Sequence, residues 1–162
     1  MKTINFVLAA LIMAGAALAN GKTDFSGKYA LDDAKSQFGN PSFRMAPLEM
    51  TVTTHNDSLE ISRSYRTPNE ETVTFEEKIA LDGSESKSSW RNSTRTSSLS
   101  WSEDGKTMKI KSTAVFAGNN GGGEATSTEE WSLSEDGGEL TVRVNVSSSW
   151  GELQNVLVFD KK

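Results

Sequence analysis

From Gly27 onward, apolar residues recur at alternate positions in short runs, and no stretch shows the 3.6-residue period of a helix. Leu48/Met50/Val52, Leu59/Ile61, Val73/Phe75, Leu99/Trp101, Met108/Ile110, Trp131/Leu133 and Leu140/Val142/Val144/Val146 each point one way, while the residues between them are mostly Ser, Thr, Glu, Lys and Arg. The alternation predicts strands at Gly27–Asp32, Pro47–His55, Ser58–Thr67, Glu71–Leu81, Ser84–Arg91, Thr94–Ser102, Thr107–Phe116, Glu124–Ser134, Glu139–Ser148 and Glu152–Asp160, about ten in all. This is an all-β chain.

The connections alternate between two kinds. Asn56-Asp57, Asp82-Gly83, Glu103-Asp104-Gly105 and Glu135-Asp136-Gly137-Gly138 read as tight hairpin turns. Looser links lie between them, at Pro68-Asn69-Glu70, Asn92-Ser93, Gly118–Gly123 and Ser149–Gly151. In an antiparallel up-and-down meander successive turns fall at opposite ends, so the Asp-containing turns share a base and the looser links share a mouth. The segment 33–46 belongs to the mouth by the same parity, and its Phe38, Phe43 and Met45 suggest a flap. With one apolar face, a sheet of about ten strands must curl until that face is buried, and closure into a barrel also removes the edges. A barrel of this size is wider than side chains alone fill, so it tends to hold a cavity.

The inward faces carry a gradient. Trp101, Trp131 and the aliphatic residues near the Asp turns should plug the base. One layer above come Arg63, Glu77, Ser88, Ser97, Ser112 and Glu129, with Arg95 nearer the mouth. Buried charges must be paired or wet. Arg63 and Glu77 would be near-opposite across a loop of about four residues and could pair; a bulge that flips the parity would instead put them in solvent.

Composition narrows the chemistry. The chain of 162 residues has no cysteine and a single histidine, His55, so disulfides and thiolate sites are excluded, and no metal or cofactor is expected. Its net charge of −5 argues against nucleic acid as a partner. Residues 1–19 read as a cleaved signal peptide: Lys2, an apolar run from Ile4 to Met13, and Ala17-Leu18-Ala19 before Asn20. Residues 20–162 would then form one exported domain, secreted or periplasmic, with no run long enough for a membrane helix. The glycine run Gly118–Gly123 precedes a strand and reads as a loop, since a phosphate cradle needs a helix N-terminus.

The opening Asp24-Phe25-Ser26-Gly27-Lys28-Tyr29-Ala30-Leu31-Asp32, the following Lys35-Ser36-Gln37-Phe38-Gly39 and the close Leu157-Val158-Phe159-Asp160-Lys161-Lys162 resemble lipocalin-like secreted bacterial proteins. In that family a Gly-x-Trp closes the barrel base beneath a basic residue of the last strand. Tyr29 stands at the Trp position here, and Lys161 at that of the basic residue. The resemblance implies a lipocalin-like β-barrel of the calycin type, with a ligand-binding or transport role.

These readings converge on a monomeric, non-enzymatic barrel that holds a small amphipathic or hydrophobic molecule. The apolar layer would be Phe75, Trp90 and Leu99, the polar layer Arg63, Glu77, Arg95 and Glu129, with Tyr65 beside them and Phe38, Phe43, Met45 and Trp150 at the mouth. Arg63 is the first choice for an anionic head group, because a guanidinium makes two parallel hydrogen bonds to a carboxylate or phosphate. Two alternatives stand beside this: an envelope module that docks a protein partner through the 33–46 flap without any ligand, and a glycosidase-like pair formed by Glu77 and Glu129.

Overall fold

The computed structural model describes residues 21–40, 42, 44, 46–90, 93–117, 122–149 and 151–162, the side chain of Trp90 excepted. Residues 1–20, with the expected signal peptide among them, Phe43, Met45, Trp150 and Gly118–Gly121 lie outside these residues. Eleven strands follow one another: β1 Gly27–Leu31, β2 Gln37–Phe38, β3 Glu49–Thr54, β4 Ser58–Arg66, β5 Thr72–Ala80, β6 Ser86–Trp90, β7 Ser93–Trp101, β8 Met108–Phe116, β9 Gly123–Leu133, β10 Glu139–Ser148 and β11 Gly151–Lys161. Among the described residues there is no helix.

The strands form an antiparallel meander in the order β5-β4-β3-β1-β11-β10-β9-β8-β7-β6, in which β1 joins the last strand to the first hairpin. The result is a nearly closed barrel whose two free edges are β5 and β6. The turn between them departs from the expected hairpin. Asp82 bonds the Ser84 amide through its own carboxylate (2.9 Å), and the Ala80 amide donates to Ser86 Oγ (2.9 Å), so side chains take the place of the first rung. No backbone ladder joins β5 to β6 among the described residues.

The repeated Ser-Glu-Asp-Gly turns are built alike. Gly105 and Gly137 both lie at positive φ, near 70°. Ser102 Oγ donates to Asp104 and Ser134 Oγ to Asp136, each at 2.6 Å. The same hydroxyls accept the amides of Thr107 and Glu139, which restarts the ladder in register.

At the base the core is dry. Tyr29, Ile79, Met108, Ile110, Trp131, Leu140 and Phe159 are buried together. Phe25, which precedes the first strand, plugs this end, with its ring 5.9 Å from that of Trp101 and 6.0 Å edge-on to that of Trp131. Trp101 is only partly buried; Lys22 Nζ lies 5.3 Å from its ring, and its buried indole N–H has no hydrogen-bond partner among the described residues. Tyr29 pairs with Lys161 across β1 and β11, and Lys161 Nζ stands 5.7 Å from the Tyr29 ring, so the basic residue expected over this position is there. Burial, with the charge of Asp24 adding to it, pushes the Tyr29 phenol up to about 12.

The 33–46 segment is not a free flap along its described length. β1 leaves β11 beyond Leu31, and β2 takes up the same edge of β11 nearer the mouth, with Phe38 opposite Asn155 and Gln37 opposite Val156. Gly39 follows the strand so closely that a Cβ would overlap the Gln154 carbonyl. Phe38 packs against the core, with the Arg44 guanidinium 4.1 Å from its ring. Leu48 and Phe116 hold inward parity but are 36% exposed, because both sit at the rim above the packed half.

Candidate binding site

Along every long strand the inward positions change character at the same height. On β4, Leu59, Ile61 and Arg63 are buried and Tyr65 is half-buried; on β7, Leu99 and Ser97 are buried and Arg95 is half-buried. On β8 and β10, Ser112 and Val142 are buried while Ala114 and Val144 are half-buried. The lower half is therefore packed solid, and the upper wall, which includes Tyr65, Val73, Ala114, Val144 and Val146, is open to solvent. The boundary is a layer of charge.

Arg63, Glu77 and Glu129 are at most 8% exposed, so the inward reading holds and no bulge turns them out. Arg63 and Glu77 are near-opposite, as expected: Ile61 faces Glu77 and Arg63 faces Phe75, across a β4–β5 loop of the five residues 67–71. Arg63 and Glu77 thus meet on the diagonal. Arg63 donates to Glu77 Oε1 and, across the barrel, to Glu129 Oε2 at 2.9 Å. Arg95 lies 3.3 Å from Glu77 Oε2 and 3.2 Å from Glu129 Oε1. Ser97 Oγ donates to Glu77 Oε2 and lies 3.0 Å from Ser112 Oγ, while the Trp131 indole N–H donates to Glu129 Oε2 at 3.0 Å. Every carboxylate oxygen of Glu77 and Glu129 has a donor. The four charges close a neutral ring in which each acid bridges both bases.

This arrangement decides protonation. Burial works to raise the Glu129 carboxyl, but Arg63, Arg95 and the Trp131 N–H hold it below the ordinary carboxylate range. A glycosidase-like general acid needs the opposite shift, so the geometry does not favour that chemistry. Burial likewise disfavours charge on Arg63, and the attraction of Glu129 and Glu77 overcomes it. Tyr65, raised chiefly by burial, lies within the field of all four charges.

Of the residues picked out from sequence, Arg63, Glu77, Arg95 and Glu129 come together in the ring, with Tyr65 within its field and Phe75 opposite Arg63. Phe38 stands apart on β2, and Leu99 lies beneath the ring in the packed base. Phe43, Met45, Trp150 and the Trp90 side chain fall outside the described residues. The reading of residues missed the hydrogen bond from Trp131 to Glu129, although i and i+2 on one strand share a face. It also missed Asn155, buried behind β2, whose Oδ1 accepts the Gly39 amide at 3.1 Å; no pattern marked it.

Two open hollows lie on the outer face of the sheet. One, of about 240 Å³, runs over β9–β11 past Thr126, Asn145 and Gln154. The other, of about 490 Å³, covers the outside of β3–β5 and reaches β6, with Lys78 and Lys87 among its lining and Ile61 and Glu77 at its floor. No group of three or more metal-ligating side chains occurs among the described residues.

No family model matches the chain, and no curated protein matches it. Among solved structures it is similar to zebrafish ileal bile acid-binding protein complexed with cholic acid, with a TM-score of 0.52 and 17% identity over 85% of this chain and 98% of that one. The likeness is one of fold. The chain shares that barrel fold: all-β, antiparallel, up-and-down and nearly closed.

Proposed function

We propose that this protein is a carrier-type barrel that holds a small amphipathic molecule in its upper half, above the charge ring. The observation that carries the reading is the ring itself. Well-packed apolar side chains of similar volume would hold this height of the barrel as well as the four charges do. A polar floor beneath a half-open, largely apolar wall suits a ligand with both kinds of surface. The likeness to a bile acid-binding protein complexed with cholic acid supports the same class.

The head-group role moves from Arg63 to Arg95. Both terminal nitrogens of Arg63 are engaged by Glu77 and Glu129, and its side chain is 4% exposed, whereas that of Arg95 is 22% exposed on the mouth side. A polar head entering from the mouth meets Arg95 and Tyr65 first, with its apolar body against Phe75, Val73 and Val144. We place the protein outside the cytoplasm as a monomer in a bacterial envelope or secretion, with a mature chain beginning at Asn20, on the strength of Ala17-Leu18-Ala19.

The test is a titration of fatty acids and bile acids followed by tryptophan fluorescence, in wild type and in Arg95→Leu. Saturable binding that Arg95→Leu weakens by about tenfold or more is expected, as for loss of a hydrogen bond to a charged group. No binding of any amphiphile by wild type would overturn the reading.

A further inference from the structure

The ring also does what the backbone leaves undone at the β5–β6 seam. Elsewhere around the barrel, neighbouring long strands are joined by ladders; between β5 and β6 there is none. Near the turn the seam is held by the Ala80 amide on Ser86 Oγ. Higher up, Glu77 on β5 is held from beyond the gap by two residues of β7: Arg95 at 3.3 Å and Ser97 at 3.2 Å. Arg63 on β4 is tied in the same way to Glu129 on β9. These side-chain bonds join the β3–β5 side of the barrel to the β7–β9 side. On the solvent side, the 490 Å³ hollow meets the seam at Glu77, with Ile61 of β4 next to it and Lys78 of β5 and Lys87 of β6 both lining the hollow.

We propose that the β5–β6 seam is a gate and that the bonds of Glu77 to Arg95 and Ser97 are its clasp. Opening it breaks a few side-chain bonds and no ladder, so it costs less than separating any laddered pair in the barrel, and local opening follows the least-bonded boundary. An open seam connects the hollow to the floor of the upper chamber and gives a side route in addition to the mouth. As a path for an amphiphile this rests on the binding reading above; as a motion of the barrel it does not.

The absence of cysteine from the chain allows a test without any ligand. A single reporter thiol is placed at Ile61→Cys, a buried inward position on β4 opposite Glu77, or at Leu140→Cys, a fully buried position on β10 away from the seam. The rate of labelling by a small thiol reagent then reads the open population at each place. Ser97→Ala removes one clasp bond with little change of volume, and Glu77→Gln weakens the whole clasp. Either change should speed labelling of Ile61→Cys by about tenfold or more, as for loss of a hydrogen bond to a charged group, with Leu140→Cys unchanged. Equal acceleration at both reporters would mean global loosening and would overturn the gate. Unchanged labelling at Ile61→Cys in the conservative Ser97→Ala would overturn the clasp. Neither outcome depends on whether an amphiphile binds, so a failed titration and a failed gate remain distinct results.

Discussion

Trp131 joins the two halves of the barrel in one side chain. Its ring is fully buried in the base and meets Phe25 edge-on, while its N–H reaches up to Glu129. Trp131→Ala should cost about 3–5 kcal/mol. Trp131→Phe keeps most of the packing but strips one donor from a buried carboxylate, which costs about 1–3 kcal/mol; urea unfolding of the two variants separates the roles, and no loss in Trp131→Phe would deny the bond to Glu129 any weight. Arg63 behaves differently from the free receptor its position in the sequence suggested. Arg63→Met leaves Glu77 and Glu129 sharing Arg95 alone, and breaking a buried pair in this way costs about 3–5 kcal/mol. The pH dependence has a definite sign. Because the folded Glu129 carboxyl titrates below its unfolded value, its contribution to stability is full above the ordinary carboxylate range and is lost as pH falls through the folded value. The chain has two tyrosines, and both phenols are raised, Tyr29 to about 12. An ultraviolet titration of the folded protein should show no phenolate step at the ordinary value near 10, and the stability due to Tyr29 should persist up to that value and fall away between it and about 12.

Among the elements, those announced by alternation and turn chemistry were legible in the sequence, and those made by backbone alone were not. The Ser-Glu-Asp-Gly turns were visible because Gly105 and Gly137 must take positive φ and Asp104 and Asp136 must accept from the turn. β2 was invisible because two residues cannot alternate; it exists because β11 runs past the end of β1 and leaves an edge to be satisfied. The seam was hidden by Asp82-Gly83, which reads as a hairpin turn until Ser86 is seen to occupy the Ala80 amide. The inward face of Arg63 and Glu77 followed from parity, but their partners across the barrel did not, since register and curvature fix those distances. Gly39 gives the element-scale prediction. A methyl there meets backbone at the Gln154 carbonyl, which cannot move aside as a side chain can. Gly39→Ala should therefore release β2, at the roughly 1–3 kcal/mol typical of overpacking. Hydrogen exchange would show it as faster exchange at residues 37–39 and 154–156, with β9 and β10 unaffected.

At the scale of the whole molecule, the barrel is closed by more than the ladders between its long strands. β1 joins the two ends of the meander, the ring spans the seam, and the segment before β1 stops the base. That segment is tied down by the Thr23 amide on the Gly105 carbonyl at 2.9 Å, by Phe25 between Trp101 and Trp131, and by the Phe25 carbonyl, which accepts the Tyr29 hydroxyl at 2.9 Å. The fold therefore needs the chain from about Thr23, close behind the proposed cleavage site before Asn20. If the first nineteen residues serve only for export, a chain beginning at Asn20 should unfold at the same urea concentration as one secreted from its own host. A chain beginning at Ser26 loses Phe25 as well, and with it about 3–5 kcal/mol, the scale of deleting a buried aromatic side chain. That loss is a large share of the 5–15 kcal/mol or so that holds a typical domain folded. Phe25→Ala in the chain that begins at Asn20 isolates the plug from the rest of the deletion. Near-equal losses in the two would assign the base to this one ring, whereas a negligible loss for Phe25→Ala would show that Trp101 and Trp131 close it unaided.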